Sequence, residues 1–247
     1  MAKDSRSGLT LVEMLIAVSL LSLLSVGMLV TMRLGFTTMD KLDTHLIANR
    51  RVANARAIIE SELDGFVFAM ANYRNQSNSV QPVLFFQMEP QIMRFVTSYS
   101  LQDGWRGRPQ IAVLQVIPGE AGVQAGVRLI VNETPYTGPG QAGQNIADVE
   151  HEAGGPQTVI YTPVSAGPQS FVLADRLAYC RFSYLEERFQ EPFLVWRTAM
   201  TGPQRLPRGV RIEMAPLDTA SSDLHVTTVT VPMDVNRVPG QVYADPY

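Results

Sequence analysis

From Met1 to Ser79 the chain has no proline, and from Met14 to Met32 it has no charged residue either. An apolar run of that length can cross a bilayer as a helix, one of the two architectures that satisfy their own backbone in lipid. Gly27 does not interrupt it, since glycine is common in membrane helices. A short polar leader, Met1–Gly8, precedes the run with Lys3 and Arg6 set against Asp4, and Arg33 closes it. A cleaved secretory signal would have a shorter apolar core followed by a small-residue site. Here the core runs directly into Arg33, so the segment is expected to stay with the chain. The leading Lys3 and Arg6 favour a cytoplasmic N-terminus and an exported remainder.

Beyond the membrane run, Leu42, Leu46, Val52, Ile59, Leu63 and Phe66 recur at helical spacing among Asp40, Lys41, Asp43, Arg50, Arg51, Arg56 and Glu60. This spacing predicts an amphipathic helix. One helix could therefore run from near Leu9 to about Met70, roughly 90 Å long at 1.5 Å per residue. Past Gln81 the pattern turns to short apolar or alternating runs punctuated by Gly, Pro and Asp103-Gly104. Strands are expected at Val83–Met88, Phe95–Tyr99, Ile111–Ile117, Val127–Asn132 and Thr158–Thr162. Further strands are expected at Phe171–Leu173, Leu177–Leu185, Phe193–Arg197, Val210–Met214 and Val226–Val231. The fold class is α+β: a long N-terminal membrane-spanning and amphipathic helix packed on a mostly antiparallel β domain. The expected organisation is a leader at 1–8, a membrane helix at 9–32, a stalk at 33–70, a β-rich domain at 71–235 and a loose tail at 236–247. The glycine-rich stretch Pro135–Pro156 reads as a mobile loop.

Little in the sequence points to chemistry. A formal net charge of -3, with basic residues scattered along the chain, gives no electrostatic footprint for nucleic acid. The single cysteine, Cys180, forbids an intrachain disulfide and reads as a small buried hydrophobe in a strand. The chain carries no GxSxG, HExxH, CxxC or Gly-rich phosphate loop. Its three histidines, His45, His151 and His225, fall on the stalk, the loop and a strand. Asp148, Glu150, His151 and Glu152 give the loop some metal-ligand character without the spacing of a calcium loop. No cofactor, no resident metal and no catalysis are expected.

The informative residue in the apolar segment is Glu13. A carboxylate in the middle of a membrane helix costs about 2.5–3.5 kcal/mol on insertion scales, less near the interface, and so calls for a partner. It closes the sequence Gly8-Leu9-Thr10-Leu11-Val12-Glu13, directly ahead of the apolar run. This resembles the prepilin cleavage and methylation signature of type IV pilins and type II secretion pseudopilins. The resemblance implies removal of the leader after Gly8 by a prepilin peptidase, N-methylation of Leu9, and Glu13 as the fifth residue of the mature chain. Most of that family has Phe where this chain has Leu9. Glu13 would then pair with the amine of another subunit and set the register between stacked helices.

A second resemblance lies further along. Val172-Leu173-Ala174-Asp175-Arg176-Leu177, Cys180-Arg181-Phe182-Ser183-Tyr184-Leu185, Trp196 and Leu206-Pro207-Arg208-Gly209-Val210-Arg211-Ile212 are similar in order to the J-type minor pseudopilins of the general secretion pathway. It implies I- and K-type minor pseudopilins and the major pseudopilin as partners. It also implies a place in the inner membrane and then in a periplasmic pseudopilus tip. A minor pilin of a type IV pilus or DNA-uptake system would share the N-terminus and remains the alternative. Taken alone, Pro207 fits the approach to a strand, and Trp196 reads as a core or interface anchor.

Overall fold

The computed structural model describes residues 11–75, 77–119, 126–151, 157–168, 170–188, 191, 193–200, 206–217 and 227–233, with side chains at all of these except 36–53 and 151. The expected leader, the expected tail, His225 and the first residue of the last expected strand, Val226, lie outside the described residues. The chain divides into two compact units, Met1–Ala48 and Asn49–Tyr247. Helix α1 (Leu11–Asp64) supplies the described part of the first and opens the second.

In the first unit the apolar residues of α1 are exposed on every side, Leu15, Leu21, Leu24 and Val30 among them. A helix apolar all round needs a non-aqueous environment. Its hydroxyls are turned back onto the helix: Ser19 donates to the Leu15 carbonyl at 2.8 Å and Ser25 to the Leu21 carbonyl at 2.8 Å. These bonds leave little polar surface facing outward.

In the second unit α1 buries Ala55, Ile59 and Leu63, four residues apart, one above another on a single face. The helix ends at Asp64, short of the expected Met70. The cause is Gly65. A Cβ there would meet the Thr97 hydroxyl at 2.6 Å, and the Gly65 carbonyl accepts from the Ser98 amide at 2.7 Å. That approach draws the next residues into strand pairing.

The strands are β1 (Phe66–Val67), β2 (Met70–Arg74), β3 (Val80–Leu84), β4 (Gln87–Met88), β5 (Ile92–Ser100), β6 (Trp105–Pro118) and β7 (Val127–Pro135). After the short helix α2 (Pro139–Gly143) come β8 (Ile146–His151), β9 (Gln157–Tyr161), β10 (Phe171–Glu187), β11 (Leu194–Arg197), β12 (Gly209–Pro216) and β13 (Thr227–Pro232). The main sheet runs β1-β5-β6-β7-β10-β12-β13, with β4 beside β5 and β11 beside β10. All its pairs are antiparallel. The fold is thus a long apolar helix followed by a mostly antiparallel β domain, an α+β arrangement.

Alternation along the strands separates two cores. Phe95, Leu114, Leu129, Phe182, Tyr184, Ile212 and Val229 join the α1 residues on one face. Val96, Ile111 and Val113 face the other way, covered by the β2–β3 and β8–β9 hairpins and α2 through Ala71, Tyr73, Phe85, Ala142, Ile146 and Tyr161. Each such side chain contributes about 1.5–3 kcal/mol of hydrophobic burial.

Three sequence-based expectations need correction. The stretch Pro135–Pro156 is not a bare loop: its described part forms the end of β7, α2 and β8. Gly143 serves contact, since a Cβ there would overlap the Asn72 carbonyl oxygen, while Gly138 takes a positive φ of 133. The expected strands Phe171–Leu173 and Leu177–Leu185 are one strand, β10. Its register slips between Val172 and Ala174 and again before Leu177, with Arg176 at φ 55. Such bulges break the alternation that sequence reading relies on. The expected strand Val83–Met88 is two, β3 and β4, parted by the buried Phe85 and Phe86.

Candidate functional site: the N-terminal processing and anchoring segment

Gly8 and Leu9, the expected cleavage and methylation residues, lie outside the described residues. Glu13 stands in the first described turn of α1, the one acidic residue there, with the uncharged apolar run directly after it. From Leu11 to Gly35 the helix has a mean hydropathy of 2.3 and none of it is buried, which makes it long and apolar enough to cross a membrane. The arrangement can anchor a chain and present an acidic group near one end of the span.

The remaining candidates are structural. Cys180 is 2% exposed, and burial pushes its thiol up to about 12, so almost no thiolate exists near neutral pH. Asp148 accepts from the Tyr73 hydroxyl at 3.0 Å and from the Val149 amide at 2.8 Å, which commits it to holding the β8–β9 hairpin. Glu150 is exposed, and Glu152 lies outside the described residues. Among the described residues no three His, Cys, Asp or Glu side chains gather as a metal site would require. A shallow polar cavity of about 750 Å³ between Tyr73, Arg74, Gln144 and Asp148 holds no nucleophile-base pair.

The C-terminal residues that resemble the J-type proteins divide between core and surface, with Val172, Asp175, Arg176 and Arg181 exposed. Phe182, Tyr184, Val210 and Ile212 are fully buried, and the Tyr184 hydroxyl donates to the Glu89 carbonyl at 2.9 Å. Trp196 is half-buried, with the Arg211 guanidinium 3.8 Å from its ring centroid. Pro207 is buried just ahead of β12.

Sequence reasoning missed Arg94. It is wholly buried, donates to the Asn145 carbonyl at 3.1 Å and the Thr162 carbonyl at 2.7 Å, and lies 5.1 Å from the Tyr161 ring centroid. Burial holds its guanidinium below the usual arginine range. It sits between Met93 and Phe95 in the apolar first half of β5, and a charge inside such a run was the available signal.

Residues 3–29 match the family model described as a prokaryotic N-terminal methylation motif. No curated protein and no solved structure matches the chain. The N-terminus therefore carries a motif of the prepilin type, and among the described residues one helix is suited to a single-pass membrane anchor. Such a motif implies processing by a prepilin peptidase and assembly into a pilus-like structure.

Proposed function

We propose that this chain is a minor pseudopilin of a type II protein secretion system, and that it works by assembly and not by catalysis. Its N-terminus would face the cytoplasm, Leu11–Gly35 would hold it in the inner membrane, and the β domain would stand in the periplasm. Cleavage after Gly8 and methylation of Leu9 would release it for assembly, with Glu13 pairing to a neighbouring subunit. The observation that carries this reading is the prepilin-type motif leading without a break into a fully exposed apolar helix. The order of Arg181-Phe182-Ser183-Tyr184-Leu185, Trp196 and Leu206-Pro207 favours the J-type subunit. In that place it would join I- and K-type partners at the pseudopilus tip. A lone cysteine in place of a C-terminal cysteine pair favours secretion over a pilus.

The test is deletion in the native host followed by complementation. Loss of exoprotein release, with surface pili and DNA uptake intact, supports the proposal, as does recovery of I- and K-type pseudopilins in crosslinked pull-downs. Loss of pili or of DNA uptake with normal secretion overturns it in favour of a minor pilin.

A further inference from the structure

Glu62, on the last turn of α1, is a fully buried carboxyl in a chain whose described acidic groups are otherwise mostly at the surface. No N–H or O–H donor among the described residues reaches either of its carboxyl oxygens. A buried carboxylate left in that condition is strongly disfavoured. The charged group set against it is Glu133 on β7, itself only 9% exposed. Glu133 is well supplied with donors: its Oε1 accepts from the Leu101 amide at 2.6 Å and its Oε2 from the Gln102 amide at 3.4 Å. Those amides belong to the turn between β5 and β6. From β5 itself comes a neutral group, Thr97, whose hydroxyl donates to the Glu62 backbone carbonyl at 2.9 Å. No cation among the described residues is set against the Glu62 carboxyl.

The two environments are therefore unequal. Glu133 sits where an anion is satisfied, and Glu62 sits where only a neutral acid is. We infer that the pair holds one proton, with Glu62 as the acid donating to the Glu133 carboxylate, and that this proton latches the end of α1 and the β5–β6 turn onto the sheet. Burial, reinforced by Glu133 and opposed only in smaller part by the Thr97 hydroxyl, pushes the Glu62 carboxyl up to about 9, in keeping with that geometry. When the proton leaves to solvent, two carboxylates face each other in a low-dielectric site and the latch opens. The end of the hairpin that it frees carries the exposed Trp105, Arg106 and Arg108.

The sign of the pH dependence follows. Glu62 binds its proton more tightly folded than unfolded, so its contribution to stability is complete below the ordinary carboxylate range. That contribution erodes as pH rises and is gone once pH passes about 9.

The full chain in detergent, metal-stripped, tests this. Infrared spectra of the wild type at pH 7 should contain a protonated-carboxyl band that fades towards pH 10 and is missing in Glu62→Gln. Amide exchange at Leu101 and Gln102, corrected for its intrinsic rate, should show an opening constant that rises in the wild type by about tenfold per pH unit up to about 9. It should stay flat in Glu62→Gln. Absence of the band from the wild type at pH 7 overturns the inference without recourse to any variant. Equal pH slopes in the two proteins also overturn it. So does stabilisation of the wild type, but not of Glu62→Gln, by added calcium, since a cation and not a proton would then satisfy the pair.

Discussion

Arg94→Ala isolates the contact that ties the β8–β9 hairpin to the main sheet. The wild-type guanidinium gives the Thr162 carbonyl a charged donor at 2.7 Å, and its loss costs about 1–3 kcal/mol. The contact with the Tyr161 ring adds up to about 2 kcal/mol at a desolvated site. The Asn145 carbonyl loses less, because the Thr162 amide at 2.9 Å and the Thr162 hydroxyl at 3.1 Å still donate to it. Removing a cation that burial disfavours returns part of the loss. The net expectation is a destabilisation of about 2–4 kcal/mol, with Arg94→Met nearer about 1–2 kcal/mol because its stem still fills the space. Denaturant titration of the full chain in detergent, followed by tryptophan fluorescence, measures the first quantity. Hydrogen exchange across Asn145–Thr162 locates it. A loss under about 0.5 kcal/mol together with unchanged exchange there would refute the reasoning.

Three further outcomes are expected. Gly143→Ala should lower thermal stability by the equivalent of about 1–3 kcal/mol, since its Cβ would press on the Asn72 backbone, and an unchanged melting temperature would contradict the close approach. Cys180 should resist alkylation by iodoacetamide near neutral pH and react once denaturant opens the core; an adduct on the native protein would contradict the burial and the raised thiol. Glu13→Ala should insert in the membrane as well as wild type but be lost from assembled or crosslinked subunits, and recovery at the wild-type level would contradict the proposed role in register.

The parts of this molecule legible in the sequence are those where a single strong preference acts alone. The apolar run of Leu11–Gly35 and the Ile59-Leu63 face need nothing but their own spacing to be recognised, while Ala55 joins that face only once its burial is known. Phe95, Ile111 and Val113, set in short apolar runs of strand length, announce their strands in the same way. The misreadings fall where tertiary contact decides. Gly65 ends α1 because β5 lies against it, which no local pattern predicts. The small residues of α2 look like loop until Asn72 is placed beside Gly143. The slips in β10 hide one strand behind two patterns. Among the candidate residues, Glu13 stands out because a carboxylate in an apolar run is conspicuous, Arg94 gives the weaker signal of a charge in a short apolar run, and Glu62 looks like ordinary polar punctuation until its burial is known.

The central claim is that this chain begins as a prepilin. Mass spectrometry of the membrane-extracted protein, expressed with and without a prepilin peptidase, tests it most directly. The account predicts a peptidase-dependent loss of Met1–Gly8 and a methyl group on the new N-terminal Leu9. A chain of unchanged mass, or one cut beyond Met32, would contradict it.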